Sequence, residues 1–425
     1  MRLIRIADVT EFGDTLYGGR KVMKPEAVSP NPNLEERAFE ALNRLSIELP
    51  SWGFANTGTR FGKFIQLSAA TTTEEKLQDA GQVHLYTGCC PTVAVHVLWD
   101  FPQGIANVDA VRDAAARYGV RIGAINPNVF EHQMYKHGSL ANPDPAIRRE
   151  AERHIEECIE IGSRTASRDI SLWFTDGSCF PGSASIRERK CLFAESLQRL
   201  HGKLSAEQRL LVEYKPFEPA FYHTDIADWG MAYILAKAAG SQAKVLVDTG
   251  HHYQAQNIEQ IVAWLLSEDM LGGFHFNDRR YADDDLTLGS IDPYQVFRIF
   301  AEIHSFEFET GQPADLAYMV DQSHNLKNKV EEMIQTSMNA QELYTKAALI
   351  DFATLYEHQR HARIVEAEEL YREAFFTDVR PWIREWRRAK GLPENPLAAF
   401  RESGYTEARA KERGDRNRAQ TASYA

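Results

Sequence analysis

Four short apolar runs in the middle of the sequence each carry, at or near their end, a side chain able to bind a metal ion. Glu213 follows Leu211-Val212, Asp248 follows Leu246-Val247, His275 lies within Gly273–Phe276, and Asp321 follows Met319-Val320. A single carboxylate at the end of a strand is ordinarily a turn former or a helix cap. Four metal-competent groups at equivalent places in successive runs ask for another explanation. Carboxylates gathered away from water repel one another and resist ionisation, and a divalent cation relieves both penalties. Oxygen and imidazole donors without a thiolate suit Mn, Mg or Co better than a structural zinc.

Two further patterns fit a second ion. Asp248 and His251 stand three residues apart where the sixth run gives way to its loop, and Asp283-Asp284-Asp285 follows the seventh run. In an extended loop, residues 283 and 285 face the same way and 284 faces the other. An Asp triplet is usually a solvated loop; beside Asp248 and His251 it becomes a ligand source. Lys215, two residues after Glu213, is expected to point inward and to act on substrate. His96 ends the second run and is a candidate for proton transfer, with Asp100 to orient it. Trp52, Phe61, Trp99 and Trp173 lie at or near other run ends and are expected to wall a pocket. Aromatic rings with a few polar groups describe a carbohydrate site.

Positioning these groups on one face requires a particular fold. The β-rich runs are Ile47–Phe54, Val93–Leu98, Val120–Ile125, Ile170–Phe174, Leu210–Tyr214, Val245–Val247, Gly273–Phe276 and Tyr318–Val320. Helical patterns separate most of them: Val108–Tyr118, Ala146–Ala166, Ile186–His201, Thr224–Ala239, Ile258–Leu266 and Pro293–His304. Buried parallel strands read as nearly continuous apolar runs joined by helical crossovers. Eight such units predict an α/β chain built on a (β/α)8 TIM barrel, whose strand C-termini share one catalytic face. A doubly wound open sheet is the rival, but no GxGxxG or GxxxxGK[ST] follows any run. The expected organisation is an N-terminal helical segment (1–45), the catalytic barrel (46–325), a helical C-terminal arm (326–405) at subunit interfaces, and a tail (406–425) that frays.

Composition bounds the function. The 425 residues hold 60 acidic and 48 basic side chains, a net charge of −12, which argues against nucleic acid or an anionic membrane as partner. Five cysteines without a CxxC pair make a disulfide framework improbable and a reducing cytoplasm the expected location. There is no apolar leader at Met1 and no apolar stretch of spanning length.

At this point the residues resemble a family. Glu213-Tyr214-Lys215-Pro216, Val247-Asp248-Thr249-Gly250-His251-His252, Gly273-Phe274-His275-Phe276-Asn277-Asp278, Asp283-Asp284-Asp285 and Asp321-Gln322-Ser323-His324-Asn325 look like L-rhamnose isomerase. The similarity extends to Pro50-Ser51-Trp52-Gly53, Thr59-Arg60-Phe61, Glu218-Pro219-Ala220-Phe221-Tyr222 and Ser403-Gly404-Tyr405. It is greatest with the bacterial branch of broad aldose–ketose range: Tyr281-Ala282 stand before the Asp triplet, where the enteric branch carries a Trp. The resemblance implies the barrel, a homotetramer, a sugar substrate and two divalent ions per subunit, usually Mn2+, with Co2+, Mg2+ or Zn2+ as alternatives. It assigns Glu213, Asp248, His275 and Asp321 to the first ion and His251, Asp283 and Asp285 to the second. By similarity to xylose isomerase, Asp248 bridges both.

Moving a carbonyl from C1 to C2 of a sugar moves one hydrogen between carbons and one proton between oxygens. With most carboxylates engaged by metal, no free base stands beside C2, so the expected route is a 1,2-hydride shift. Lys215 is expected to stabilise charge at O1, His96 to open the ring, and Asp321 or Asp285 to manage the hydroxyl proton. The same barrel could instead serve a xylose-type isomerase or a keto-sugar 3-epimerase. A metal-dependent phosphodiesterase acting on DNA would need a basic face. A sugar-binding protein without catalysis would have no need of Lys215, Asp283 and Asp285.

Overall fold

The computed structural model describes residues 33–57, 63–178, 181–216, 223–322 and 326–420. Eight parallel strands close into a barrel in chain order: β1 (Glu48–Pro50), β2 (Thr92–His96), β3 (Arg121–Asn126), β4 (Asp169–Leu172), β5 (Arg209–Glu213), β6 (Ala243–Asp248), β7 (Leu271–Phe276) and β8 (Ala317–Val320). Burial on both faces explains their composition; every residue of β5 and β7 is buried. The (β/α)8 fold expected from the sequence is the fold observed.

Before the barrel comes α1 (Leu34–Arg44), and the crossovers are α2 (Thr73–Thr87), α3 (Val97–Asp100) with α4 (Val108–Arg117), α5 (Pro145–Thr165), α6 (Ile186–His201), α7 (Trp229–Ala239), α8 (Ile258–Ser267) and α9 (Pro293–Thr310). After β8 come α10 (Lys329–Ala348), α11 (Phe352–Arg360), α12 (Ile364–Phe376), α13 (Arg380–Ala389), α14 (Pro396–Glu402) and α15 (Tyr405–Arg418). Local chemistry fixes where they start. Asp144 and Asp292 cap α5 and α9, each followed by a proline at the first helical position, while Ser185, Asp228 and Asn257 cap α6, α7 and α8. Inside the barrel, Ala94, Ala124, Leu211, Leu246 and Met319 form one apolar layer beneath Trp52. That layer is the floor of the catalytic face.

Three expectations need correction. The run Ile47–Phe54 is strand only over Glu48–Pro50 and then tightens into a 3-10 turn at Ser51–Phe54. The arm does not begin at 326: α10 packs between α9 and α2 and closes the ring of outer helices. The segment 406–425 does not fray as a whole, since residues 405–418 form α15. Arg413 of that helix is wholly buried and pairs with the buried Asp79 of α2 at 2.7 Å, and Tyr405 donates to the same carboxylate at 2.6 Å. One charge of this helix is used inside the protein while most of the others stay exposed, so composition alone misreads it. Residues 1–32 of the N-terminal segment lie outside the described residues.

α15 also reaches the loop that leaves β1. Arg413 donates to the carbonyl of Ser68, Asn417 donates to the carbonyls of Leu67 and Ala69, and Asn56 donates to Oδ1 of Asn417. Both stems of that loop are thus tied to residues some 350 positions away. Phe61 lies between the stems, outside the described residues.

Candidate active site

The strand ends bring the expected donors together. Glu213 ends β5, Asp248 ends β6, His275 lies in β7 and Asp321 follows β8; their donor atoms lie within 4.8 Å of one another. Nδ1 of His275 is 3.2 Å from Glu213, 4.0 Å from Asp248 and 3.9 Å from Asp321. Asp248, His251 and Asp283 form a second group with the same spacing. Nε2 of His251 is 3.8 Å from Asp248 and 3.5 Å from Asp283. Asp248 therefore belongs to both groups.

The donors fit divalent ions. Oδ2 of Asp248, Oδ1 of Asp283 and both ring nitrogens of His275 are buried without a hydrogen-bond partner, a costly arrangement unless a cation is to be held. Asp285 lines the same cavity but joins neither group. Asp283 and Asp285 do face one way and Asp284 the other, though not through an extended loop. Asp285 takes a left-handed backbone (φ 49), and Asp284 turns back to accept the N–H groups of Arg280 and Tyr281 at 2.7 and 2.8 Å.

Electrostatics follow from crowding. Burial pushes the Glu213 carboxyl up, but His275 and His251 outweigh it and hold the group at about 2. Burial raises Asp248 to about 7, with Glu213, Asp283 and Asp321 adding to it against His251. Burial opposes charge on His275, yet Glu213, Asp321 and Asp248 lift it to about 9. Asp285 is raised well above the usual range by burial and by Asp283 and Asp321. These are shifts of a site built for more positive charge than its own side chains supply.

Lys215 projects from the end of β5 into the cavity, its Nζ 2.5 Å from Oδ2 of Asp283 and 5.5 Å from the ring centre of Trp173. The cavity, of about 180 Å³, is lined by both metal-competent groups and aromatic rings. Trp52 donates from Nε1 to Asp321 at 2.8 Å, and Trp99 and Trp173 complete the wall. His96 packs against Trp52 and Trp99 with ring centres 4.8 and 4.0 Å apart. Burial, with Lys76 and His275 nearby, depresses the His96 imidazole to about 3, so it is neutral at physiological pH. Its Nδ1 has no partner.

Asp100 does not orient the His96 ring as expected. It accepts the His96 backbone N–H at 3.0 Å, the Ser51 hydroxyl at 2.6 Å and the Lys76 ammonium at 2.7 Å. Its role is to fix the main chain that carries Trp52 and His96. Four lining residues were not singled out from the sequence: Asn126, Pro127, Phe130 and Ser171. Asn126 ends β3 and could have been found by the strand-end rule. Ser171 lies in β4, two residues before Trp173, and both line the cavity. Phe130, whose ring meets Trp173 at 5.0 Å, sits in a loop and carries no sequence signal.

Residues 91–321, more than half of the chain, match the family described as "Xylose isomerase-like TIM barrel". The chain belongs to that family. A protein named "Probable sugar isomerase" from Mesorhizobium japonicum is 36% identical over 377 residues, covering 88% of this chain and 87% of its own. A protein of the same name from Rhizobium meliloti is 37% identical over 372 residues, 86% of each chain. The "Xylose isomerase" of Solibacter usitatus is 21% identical over 189 residues, 43% of each. Among solved structures, D-allulose 3-epimerase from Methylomonas sp. superposes with a TM-score of 0.50 at 15% identity, covering 69% of this chain and 96% of that one, a likeness of fold. The match spans β2–β8 of this chain, and the carboxylate and imidazole groups stand at or near the C-terminal ends of those strands. No helix among the described residues is long and apolar enough to cross a membrane.

Proposed function

We propose that this protein is an aldose–ketose isomerase that interconverts L-rhamnose and L-rhamnulose, accepts other aldoses such as D-allose, and works by a 1,2-hydride shift. The observation that carries the reading is the sharing of buried Asp248 between two donor groups whose other members line one cavity with Lys215. The relatives named as sugar isomerases, covering most of both chains, support it.

Glu213, Asp248, His275 and Asp321 would hold one divalent ion, and His251 and Asp283 with Asp248 a second, Asp285 standing beside them. Such ions, with Mn2+ the expected one, supply Lewis acidity to neighbouring sugar oxygens. The chain's own groups do the rest. Lys215 is a donor for O1, where negative charge develops. Neutral His96 offers an acceptor nitrogen for the anomeric hydroxyl during ring opening. Asp321 and Asp285 are placed to hold the hydroxyl proton. Trp52, Trp99, Phe130 and Trp173 exclude water and cover the apolar face of the sugar. The small cavity with its aromatic lining suits a neutral sugar with apolar faces.

The test is turnover of L-rhamnose, L-lyxose, L-mannose, D-allose and D-xylose by chelated and Mn-reconstituted protein. The expected result is Mn-dependent ketose formation with the highest kcat/KM on L-rhamnose. Interconversion of two ketoses with no aldose formed would move the assignment to an epimerase, and preference for D-xylose would move the substrate. We also propose a homotetramer, supported by Ile364, Val365 and Phe376 of α12, each more than 60% exposed. Sedimentation velocity at micromolar concentration tests it, and a monomer would overturn it.

A further inference from the structure

The fold treats the two oxygens of Asp248 differently. Oδ1 accepts two hydrogen bonds, from the backbone N–H of Gly250 at 2.7 Å and from the side-chain amide of Asn277 at 3.0 Å. Oδ2 has no hydrogen-bond partner, and it is the oxygen that lies 3.8 Å from His251 and 4.0 Å from His275.

Asn277 is itself held firmly. Its amide also donates to the carbonyl of Asp321 at 3.1 Å, so one nitrogen spans the ends of β6 and β8. Its backbone N–H donates to the Thr249 hydroxyl at 3.0 Å, and that hydroxyl donates to the Asn277 carbonyl at 2.8 Å. The amide cannot usefully turn over, because its oxygen would then face Oδ1 of Asp248, acceptor against acceptor. Gly250 makes room for this packing: a Cβ there would stand 2.5 Å from Oδ1 of Asn277 and 3.0 Å from Oδ1 of Asp283.

We propose that Asn277 is a positioning residue that, with Gly250, locks the Asp248 carboxylate so that the same oxygen, Oδ2, serves both ions of the site. The proposal rests on the two-ion reading above. Without the clamp the carboxylate is free to turn and to offer one oxygen to each donor group. Groups that hold a ligating side chain in this way typically govern metal affinity by about 10–100-fold.

The experiment is calorimetric titration of Mn2+ into chelated wild type, Asn277→Ala and Asn277→Leu, the second variant keeping bulk while removing the donor. Chelated melting temperatures check that each variant is folded. Wild type is expected to take two ions per subunit, and the folded variants to bind the weaker ion at least about tenfold less tightly. Two dissociation constants indistinguishable from wild type in a folded variant would overturn the proposal. A crystal structure of Mn-loaded wild type tests it without any variant: Oδ2 contacting both ions supports it, and one oxygen on each ion overturns it. Wild type binding fewer than two ions would instead overturn the two-ion reading, and this proposal with it.

Discussion

The ammonium of Lys215 lies 2.5 Å from Oδ2 of Asp283, a carboxylate that also stands 3.5 Å from His251. The lysine expected to act on O1 is thus bound to a carboxylate expected to hold metal. Burial works against its charge, but Asp283, Asp285 and Asp248 outweigh that and keep it protonated. Under the proposed function it would act as a hydrogen-bond donor and not as a base.

Removing that donor should therefore slow chemistry without emptying the site. Lys215→Met is expected to lower kcat by about 10²–10³ while metal content stays at the wild-type level. Steady-state kinetics with elemental analysis of the same preparation checks this. Loss of bound metal in step with activity would show that the lysine serves the ligand set instead.

The shared ligand should matter more than an unshared one. Asp248→Ala is expected to weaken both ions and to lower the melting temperature of the Mn-loaded protein. Asp285→Ala should leave the melting temperature close to wild type while turnover falls. Equal metal content in Asp248→Ala and wild type would remove Asp248 from the bridging role.

In chelated protein, stability should depend on pH with a sign set by the ligand cluster. His275 is raised from 6.5 to about 9 and Asp248 from 3.8 to about 7, so the folded state binds more protons than the unfolded one. The His275 contribution is full below pH 6.5 and lost as pH rises through 9; that of Asp248 is full below 3.8 and lost through 7. Glu213, depressed from 4.5 to about 2, acts oppositely, its contribution present above 4.5 and lost as pH falls through 2. The chelated melting temperature is expected to fall as pH is raised from 7 to 9, the interval marked by Asp248 and His275. Mn2+ affinity should rise over the same interval with release of protons. Calorimetry in buffers of different ionisation enthalpy measures that release.

Isomerisation in heavy water separates the two routes for the hydrogen. Most carboxylates of the cavity belong to the metal-competent groups, and His96, held at about 3, is too weak a base to take a proton from carbon. Little deuterium is expected at C1 of the product by mass analysis. Substantial incorporation at early conversion would favour an enediol, with Asp321 the leading base.

The buried pair on α15 sets a stability prediction. Arg413→Ala leaves Asp79 buried without its partner and is expected to cost about 3–5 kcal/mol in denaturant unfolding. An unchanged unfolding midpoint would show that Asp79 is accommodated otherwise.

Much of this was legible in the sequence, for definite reasons. A parallel strand buried on both faces leaves an uninterrupted apolar run, so runs such as Leu210–Tyr214 and Gly273–Phe276 fell on strands within a residue or two. Closure into a barrel then places the residues at or near the end of each run on one face, and Glu213, Asp248 and Asp321 follow from that. What was hidden depends on partners far away in the chain. Asp100 beside His96 suggested a side-chain contact, yet it holds the backbone and reaches to Ser51 and Lys76. Phe130 is placed by its loop, and no spacing announces it. The charges of α15 look like a solvated tail until Asp79 is found opposite Arg413.

That pairing has a consequence during synthesis. The loop leaving β1 is among the first parts of the barrel to emerge from a ribosome, yet its stems are tied to Arg413 and Asn417. Strands, ring helices and ligand groups can all assemble earlier from sequence already made. The stems of that loop cannot gain these contacts until more than 300 further residues have been added. A nascent chain halted after α14 would carry every metal-competent residue named above and still lack the contacts that tie the stems of the β1 loop, so α15 sets when those stems are fixed.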